Sequence, residues 1–171
     1  AVDSQGGMWV ATQGETIDPL TRQLRDGGLS HFDGHEWTSY TAPTSGNAGL
    51  PSNAVAAVLP RDATCAGFPD VWVGLGSASL LTGEGIAVLN PASQVWTRLD
   101  RTALSSPNVN TLALDPLNCD IWATTLPYRD NVGSVGGGGL SRWLASDRRW
   151  VVYDTANTPG LTALDDAFLA V

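Results

Sequence analysis

Three short phrases recur along this chain, always in the same order. A Trp-centred phrase comes first: "MWVAT" at 8–12, "VWVGL" at 71–75 and "IWATT" at 121–125. A Gly-led phrase follows: "GGLSHF" at 27–32, "GEGIAVL" at 83–89 and "GGLSRW" at 138–143. A second Trp phrase closes each unit: "EWTSYT" at 36–41, "VWTRLD" at 95–100 and "RWVVYD" at 149–154. Between units runs a fourth, "LPSNAVAAVLP" at 50–60 and "SSPNVNTLALDP" at 105–116, with a weaker form, "LTALDDAFLAV", at 161–171. The spacing holds as well. Trp9 to Trp72 is 63 residues and Trp72 to Trp122 is 50; Trp37 to Trp96 is 59 and Trp96 to Trp150 is 54. A chain that repeats itself in this way builds one small unit several times and buries each copy against the next.

The units are β in character. They are rich in Val, Trp and Tyr, they are separated by Gly, Pro, Asn and Asp, and no stretch keeps a helical period for three turns. "LSHF-DG-HEWTSY" reads as a hairpin, with Asp33-Gly34 supplying a tight turn that needs positive φ. "NPAS" at 90–93 and "ASD" at 145–147 do the same job with other turn residues. One sheet of this kind cannot bury both faces alone. Stacking identical units does so, which explains why "AVAAVL" and "VWVGL" are apolar at nearly every position. A period in the fifties carrying four short strands is the size of a β-propeller blade. The expectation is an all-β chain, a single β-propeller region over 1–171. It has three four-stranded repeat units near 1–52, 53–107 and 108–160 and is incomplete at both ends, with 161–171 the inner strand of a following blade. A β-sandwich also places Trp at strand centres, but nothing in a sandwich requires the phrases to recur in order.

Composition narrows the function. Of 171 residues, 43% are hydrophobic and 15% charged, a globular balance with length for one domain and a core. Lysine is absent and the net charge is −8, so nucleic-acid phosphates and anionic membranes are poor partners. No apolar run is long enough to span a bilayer, and membrane insertion is not expected. The opening "AVDSQGGMWV" has neither a basic n-region nor an apolar h-region, so it reads as the start of a processed or excised chain, not as a signal peptide.

The order "GGL-S-x-F-D-G-x-x-W-T-x-Y", then "GLPSNxVxAV", then "D-V-W-V-G-L" resembles the two-component regulator propeller repeat. That repeat occurs in periplasmic sensor domains of hybrid histidine kinases and in secreted bacterial proteins. The likeness runs over essentially the whole chain and is strong in the first unit and good in the third. The middle unit departs from it, with Gly83-Glu84-Gly85-Ile86 where the others have Gly-Gly-Leu. Two insertions, "TQGETIDPLTRQLRD" at 12–26 and "TTLPYRDNVGSVGG" at 124–137, fall between the Trp strand and the Gly strand. Insertion at one repeated place maps to one face, often the binding face. The resemblance implies a strand order from the "NAVAAVLP" type innermost, through "DVWVGL" and "GGLSHF", to "EWTSYT" outermost.

Enzyme constellations are absent from the sequence. His31 and His35 flank the Asp33-Gly34 turn and read as a solvated turn, without a Cys or second His at ligand spacing. "GSVGGGG" at 133–139 lacks the Lys-Ser/Thr of a phosphate loop and reads as a flexible connector. "GLGSAS" at 74–79 is no nucleophile elbow. Asp165-Asp166 has no calcium-loop pattern, and Arg98 and Arg101 read as exposed strand ends able to meet an anion. Asn53 and Asn108 read as turn formers that bond the backbone. No catalytic residue, no cofactor and no metal is expected. Cys65 and Cys119 sit in equivalent loops of adjacent units, so a disulfide and two separate thiols both remain open; an oxidising compartment would allow the bond.

The functional expectation is a non-enzymatic propeller module that recognises a ligand or protein outside the cytoplasm, extracellular or periplasmic, as part of a sensor. The resemblance implies a carbohydrate, a peptide or a protein as the ligand class. The alternative is a structural component of a larger extracellular propeller protein or filament; a lyase or glycosidase is disfavoured because the acid–base residues are missing. Ala1-Val2-Asp3 matches Ala113-Leu114-Asp115, so the first unit begins at the tail of an inner strand. That predicts pairing with blades of a longer chain or of another copy. Light scattering tests it: oligomers are expected from the isolated chain, and a stable folded 17.9 kDa monomer overturns the expectation.

Overall fold

The β-branched and aromatic phrases become strands, and the Gly, Pro, Asn and Asp clusters between them become turns. The computed structural model describes residues 1–14, 17, 19–20, 26–42, 49–60, 64–65, 70–130 and 132–160. Within these the protein is all-β, with four antiparallel sheets and a single 3-10 turn, Arg101–Ala103. The first sheet is three-stranded: β1 (Met8–Thr12), β2 (Gly28–Phe32) and β3 (Trp37–Tyr40) in that order. The second is a four-stranded meander of β4 (Val55–Leu59), β5 (Val71–Ser77), β6 (Thr82–Asn90) and β7 (Val95–Arg98). The third joins β8 (Asn108–Asp115), β9 (Asp120–Leu126), β12 (Gly139–Leu144) and β13 (Arg149–Tyr153). A two-stranded ribbon, β10 (Tyr128–Arg129) and β11 (Val135–Gly136), rises between β9 and β12.

The middle sheet is the keystone, and its strands show why. Along β5, Val71, Val73 and Leu75 face the first sheet, packing with Trp9, Leu29 and Val55. The alternate residue Trp72 faces the third, with Val109, Ile121 and Ala123. On β6, Ala87 and Leu89 face one way and Ile86 and Val88 the other. Side chains alternate across a strand, so a strand covered on both faces must be apolar throughout. Every residue of β5 is buried. Each fully buried Val, Leu or Ile contributes about 1.5–3 kcal/mol. Toward the third sheet the even positions Gly74 and Gly76 carry no side chain; a Cβ on Gly74 would lie 2.6 Å from Val109 Cγ1. These glycines let β8 lie close against β5.

Polar ties fasten the stack. Asn108 is fully buried, and its Nδ2 donates to the Ser77 carbonyl at 3.3 Å and the Pro127 carbonyl at 2.8 Å, joining second and third sheets. Gln13 bridges Ala54, and its Nε2 donates to the Gly76 carbonyl at 3.2 Å, joining first and second. The turns follow one chemistry. Asp33 Oδ1 accepts the amides of His35 and Glu36, and Asn90 Oδ1 accepts those of Ala92 and Ser93. In the longer turns a non-glycine residue takes the left-handed conformation: Gln94, Cys119 and Arg148, at φ 56°, 63° and 53°.

One reading of the sequence needs correction here. The run "GSVGGGG" is not merely a connector: Val135 and Gly136 pair with Arg129 and Tyr128, and Asp130 Oδ1 closes the ribbon by accepting the amides of Val132 and Ser134. The ribbon also reaches the neighbouring sheet, the Arg129 amide donating to the Leu81 carbonyl at 2.8 Å. The first unit begins at the tail of an inner strand, as the match of Ala1-Val2-Asp3 to Ala113-Leu114-Asp115 implied. Val2 pairs with Met8, just as Leu114 pairs with Ile121. Residues 161–171, expected as a following inner strand, lie outside the described residues, as does most of 12–26.

Cys65 and Cys119 are joined by a disulfide, their Cα atoms 5.6 Å apart. It links the β4–β5 connection to the β8–β9 turn and so clamps the second sheet to the third. Titration of the unreduced, denatured chain is expected to find no free thiol, and two thiols would overturn the bond. Replacing both by alanine should lower the unfolding free energy, read from urea melts, by about 2–5 kcal/mol.

Candidate functional site

The meanders put their connections on opposite edges of the stack. One edge carries the β1–β2, β5–β6 and β9–β12 connections, where the insertions fall, and the returns to β4 and β8. A cavity of about 400 Å³ opens there between the first and second sheets. Its walls are Ile17 from the first insertion, Ala42, Pro51, Ser52 and Asn53 from the return to β4, Leu80, Thr82, Gly83 and Glu84 from the β5–β6 hairpin, and Arg98 at the end of β7. The lining is more polar than apolar, with Ile17, Pro51 and Leu80 its aliphatic part, and convergent polar groups are what orient a ligand in a small-molecule site.

A backbone irregularity places the charge. Leu75 pairs with Gly85 and Gly76 with Gly83, so Glu84 is the unpaired residue of a β-bulge. Bulges re-aim a side chain and are common beside functional sites. Glu84 Oε2 lies 3.5 Å from Nη1 of both Arg98 and Arg101. Arg98 Nη2 donates to the Pro51 carbonyl at 3.3 Å, which turns the guanidinium toward the cavity mouth. Gly85, at φ 79°, packs its backbone on Arg101: a Cβ there would sit 2.9 Å from Arg101 Cβ. The Asp100 carboxylate is engaged elsewhere. Thr102 donates to it through both hydroxyl and amide, at 2.7 and 2.9 Å, and these bonds hold the carboxyl below its ordinary value.

The opposite edge repeats a different cluster. In the third sheet Asp120 accepts from Arg142 Nε at 2.8 Å and Nη2 at 2.7 Å, and the guanidinium lies 4.8 Å over Trp122, which stacks on Tyr153. In the first sheet Asp3 accepts from Trp9 Nε1 at 3.0 Å and meets His31 Nε2 at 3.2 Å; His31 stacks on Trp9, and Trp9 on Tyr40. His31 stands across the strand pair from Trp9 as Arg142 stands across from Trp122. The sequence reading of His31 as a solvated turn residue is therefore corrected: it lies in β2, three-quarters covered, bound to a carboxylate and an indole. His35 does sit in the exposed turn. A second concavity, of about 410 Å³ between the second and third sheets, is lined by Trp72 and Trp143, which pack on each other and on Trp150.

Asn53 and Asn108 bond the backbone, Asn53 Oδ1 accepting the Ala42 amide at 2.6 Å. Asn53 and Arg98 meet at the cavity, with Arg101 against its rim. Asp165 and Asp166 lie outside the described residues. Glu84 was missed as a site residue; its signal was the middle unit's departure from Gly-Gly-Leu. Among the described residues no group of three metal-binding side chains occurs, and no helix is long and apolar enough to cross a membrane.

No protein-family model matches this chain, and no curated protein does. Solved structures do. The chain is similar to a protein described as the extracellular domain of a hybrid two-component system, BT3049 from B. thetaiotaomicron, with a TM-score of 0.60 and 17% identity. The match covers 95% of this chain and 18% of that one, so the chain spans under a fifth of the relative's length. The extracellular domain of a one-component system from the same organism, BT4673, matches at a TM-score of 0.49 and 15% identity, over 98% of this chain and 24% of that one. The first of these likenesses shows a shared fold.

Asp3 yields a pH prediction. Burial works to raise its carboxyl, but hydrogen bonds from Trp9, Gly7, Gln5 and His31 outweigh this and hold it below the ordinary aspartate value of 3.8. A carboxyl lowered on folding adds stability above its unfolded pKa and loses it as pH falls through the folded one. D3N should therefore lower stability at neutral pH and flatten the acid limb of a melting-temperature profile between about pH 2 and 7. An acid limb as steep as the parent's would overturn this.

Proposed function

We propose that this chain is a non-enzymatic recognition module working outside the cytoplasm, as part of a sensor, and that its ligand enters the insertion-edge cavity. The units near 1–52, 53–107 and 108–160 are successive β-propeller blades in this reading. Its support is that inter-sheet contacts gather on the inner strands: β1 against β4, and β4, β5 and β6 against β8. The observation that carries the recognition reading is the convergence of one insertion, one return loop and the Glu84 bulge on a single cavity. A scaffold that only filled space would gain nothing from a charged bulge there. The extracellular setting of the BT3049 domain supports the location, and so does the disulfide, which persists in oxidising compartments.

Backbone-amide NMR tests it. A panel of short oligosaccharides and peptides is titrated into the chain. Shifts are expected at Ser52, Thr82, Glu84 and Arg98. Shifts gathered instead at Asn90 and Ser146, on the opposite edge, would overturn the site, and cleavage of any panel member seen by mass spectrometry would overturn the non-enzymatic reading.

A further inference from the structure

Resting on the recognition reading above, we infer that the insertion-edge cavity selects a ligand bearing a carboxylate, and that Glu84 holds the carboxylate's place in the free protein. The first ground is the bulge. Where Glu84 stands, the other units have glycine, Gly27 and Gly138. The fold does not need a charge there, and the bulge turns that charge onto two arginines.

The second ground is a mismatch in geometry. A guanidinium is a fork that matches two carboxylate oxygens at once, at about 2.7–2.9 Å. Here one oxygen, Glu84 Oε2, serves both Arg98 and Arg101 at 3.5 Å. The arginine side chains are 53% and 50% exposed and Glu84 38%, so the attraction acts through solvent and holds Glu84 weakly. A ligand carboxylate entering between the two forks offers each its own oxygen, while Glu84 turns to water. The Pro51 carbonyl already orients Arg98, which lessens the ordering that binding costs, and Gly85 packs on the base of the Arg101 side chain.

The third ground is what the walls lack. Ile17, Pro51 and Leu80 offer aliphatic surface, and no aromatic ring lines the cavity among the described residues. Orientation of a ligand then falls to the polar groups, of which the guanidiniums are the strongest. A sugar acid and a peptide C-terminus share this chemistry.

Calorimetry with paired probes distinguishes them. D-galacturonate is compared with D-galactose, and N-acetyl-glycyl-glycine with its C-terminal amide, each on the parent chain and on R98Q, R101Q, R98K and E84Q. At least one acid should bind at least tenfold more tightly than its neutral twin. R98Q and R101Q should each weaken it tenfold or more, and R98K should restore only part, keeping charge without the fork. E84Q should tighten it several-fold, because a competitor is removed; a purely structural Glu84 would not do this. Circular dichroism confirms folding of each variant. Neutral twins that bind as well as the acids, with NMR shifts in the cavity that R98Q leaves intact, would overturn the carboxylate inference and leave the recognition reading standing. No binding of either acid up to about 10 mM, or unchanged affinity in E84Q, would overturn the inference as well. Shifts confined to the opposite edge would overturn the recognition reading itself.

Discussion

Burial of the middle sheet on both faces is the constraint from which the rest follows. Val71, Val73 and Leu75 need the first sheet, and Trp72, Ile86 and Val88 need the third. Neither neighbour can be removed without returning a row of apolar side chains to water, at about 25 cal/mol for each Å² exposed. Hydrophobic attraction is non-directional, however, and does not fix how two sheets meet. Gly74 and Gly76 set the closeness of β5 and β8, and Asn108 sets their register, because its amide must satisfy carbonyls from both sheets at once.

With the stack fixed, the two edges take different roles. The edge of the β4–β5 and β8–β9 connections holds the disulfide and the two clusters of carboxylate, basic side chain and indole. Arg142 is held by Asp120 across from Trp122, and His31 occupies the equivalent place across from Trp9, held by Asp3. The middle sheet has the apolar Val88 opposite Trp72 at the corresponding place.

The insertion edge is where the repeat is broken, and the breaks converge. The first insertion contributes Ile17, the return to β4 contributes Pro51 and Ser52, and the bulged hairpin contributes Glu84. A repeat protein keeps its core positions uniform because every copy must pack on the next, and departures accumulate where that demand is absent.

Much of the architecture was legible in the residues. The hairpins and the β character follow from local turn chemistry and a period of two, and both are local properties; the strand order within each meander came from the family resemblance. The match of Ala1-Val2 to an inner strand's tail was legible too, because the repeat supplied a template. Tertiary structure alone decided the rest. The sequence places Asp3 twenty-eight residues from His31, and only the β1–β2 pairing sets them 3.2 Å apart. Cys65 and Cys119 are 54 residues apart, and the stacking of two sheets brings their loops together. Glu84 could be seen as an oddity, yet which side of the sheet it faces depends on where the bulge falls in the β5–β6 register. A one-residue slip would turn it to the other face. The sequence by itself determined which segments pair and how many times the unit is built; which charges meet was decided by the packing of one sheet on the next, because ion pairs and disulfides depend on distance in space and carry no signature along the chain.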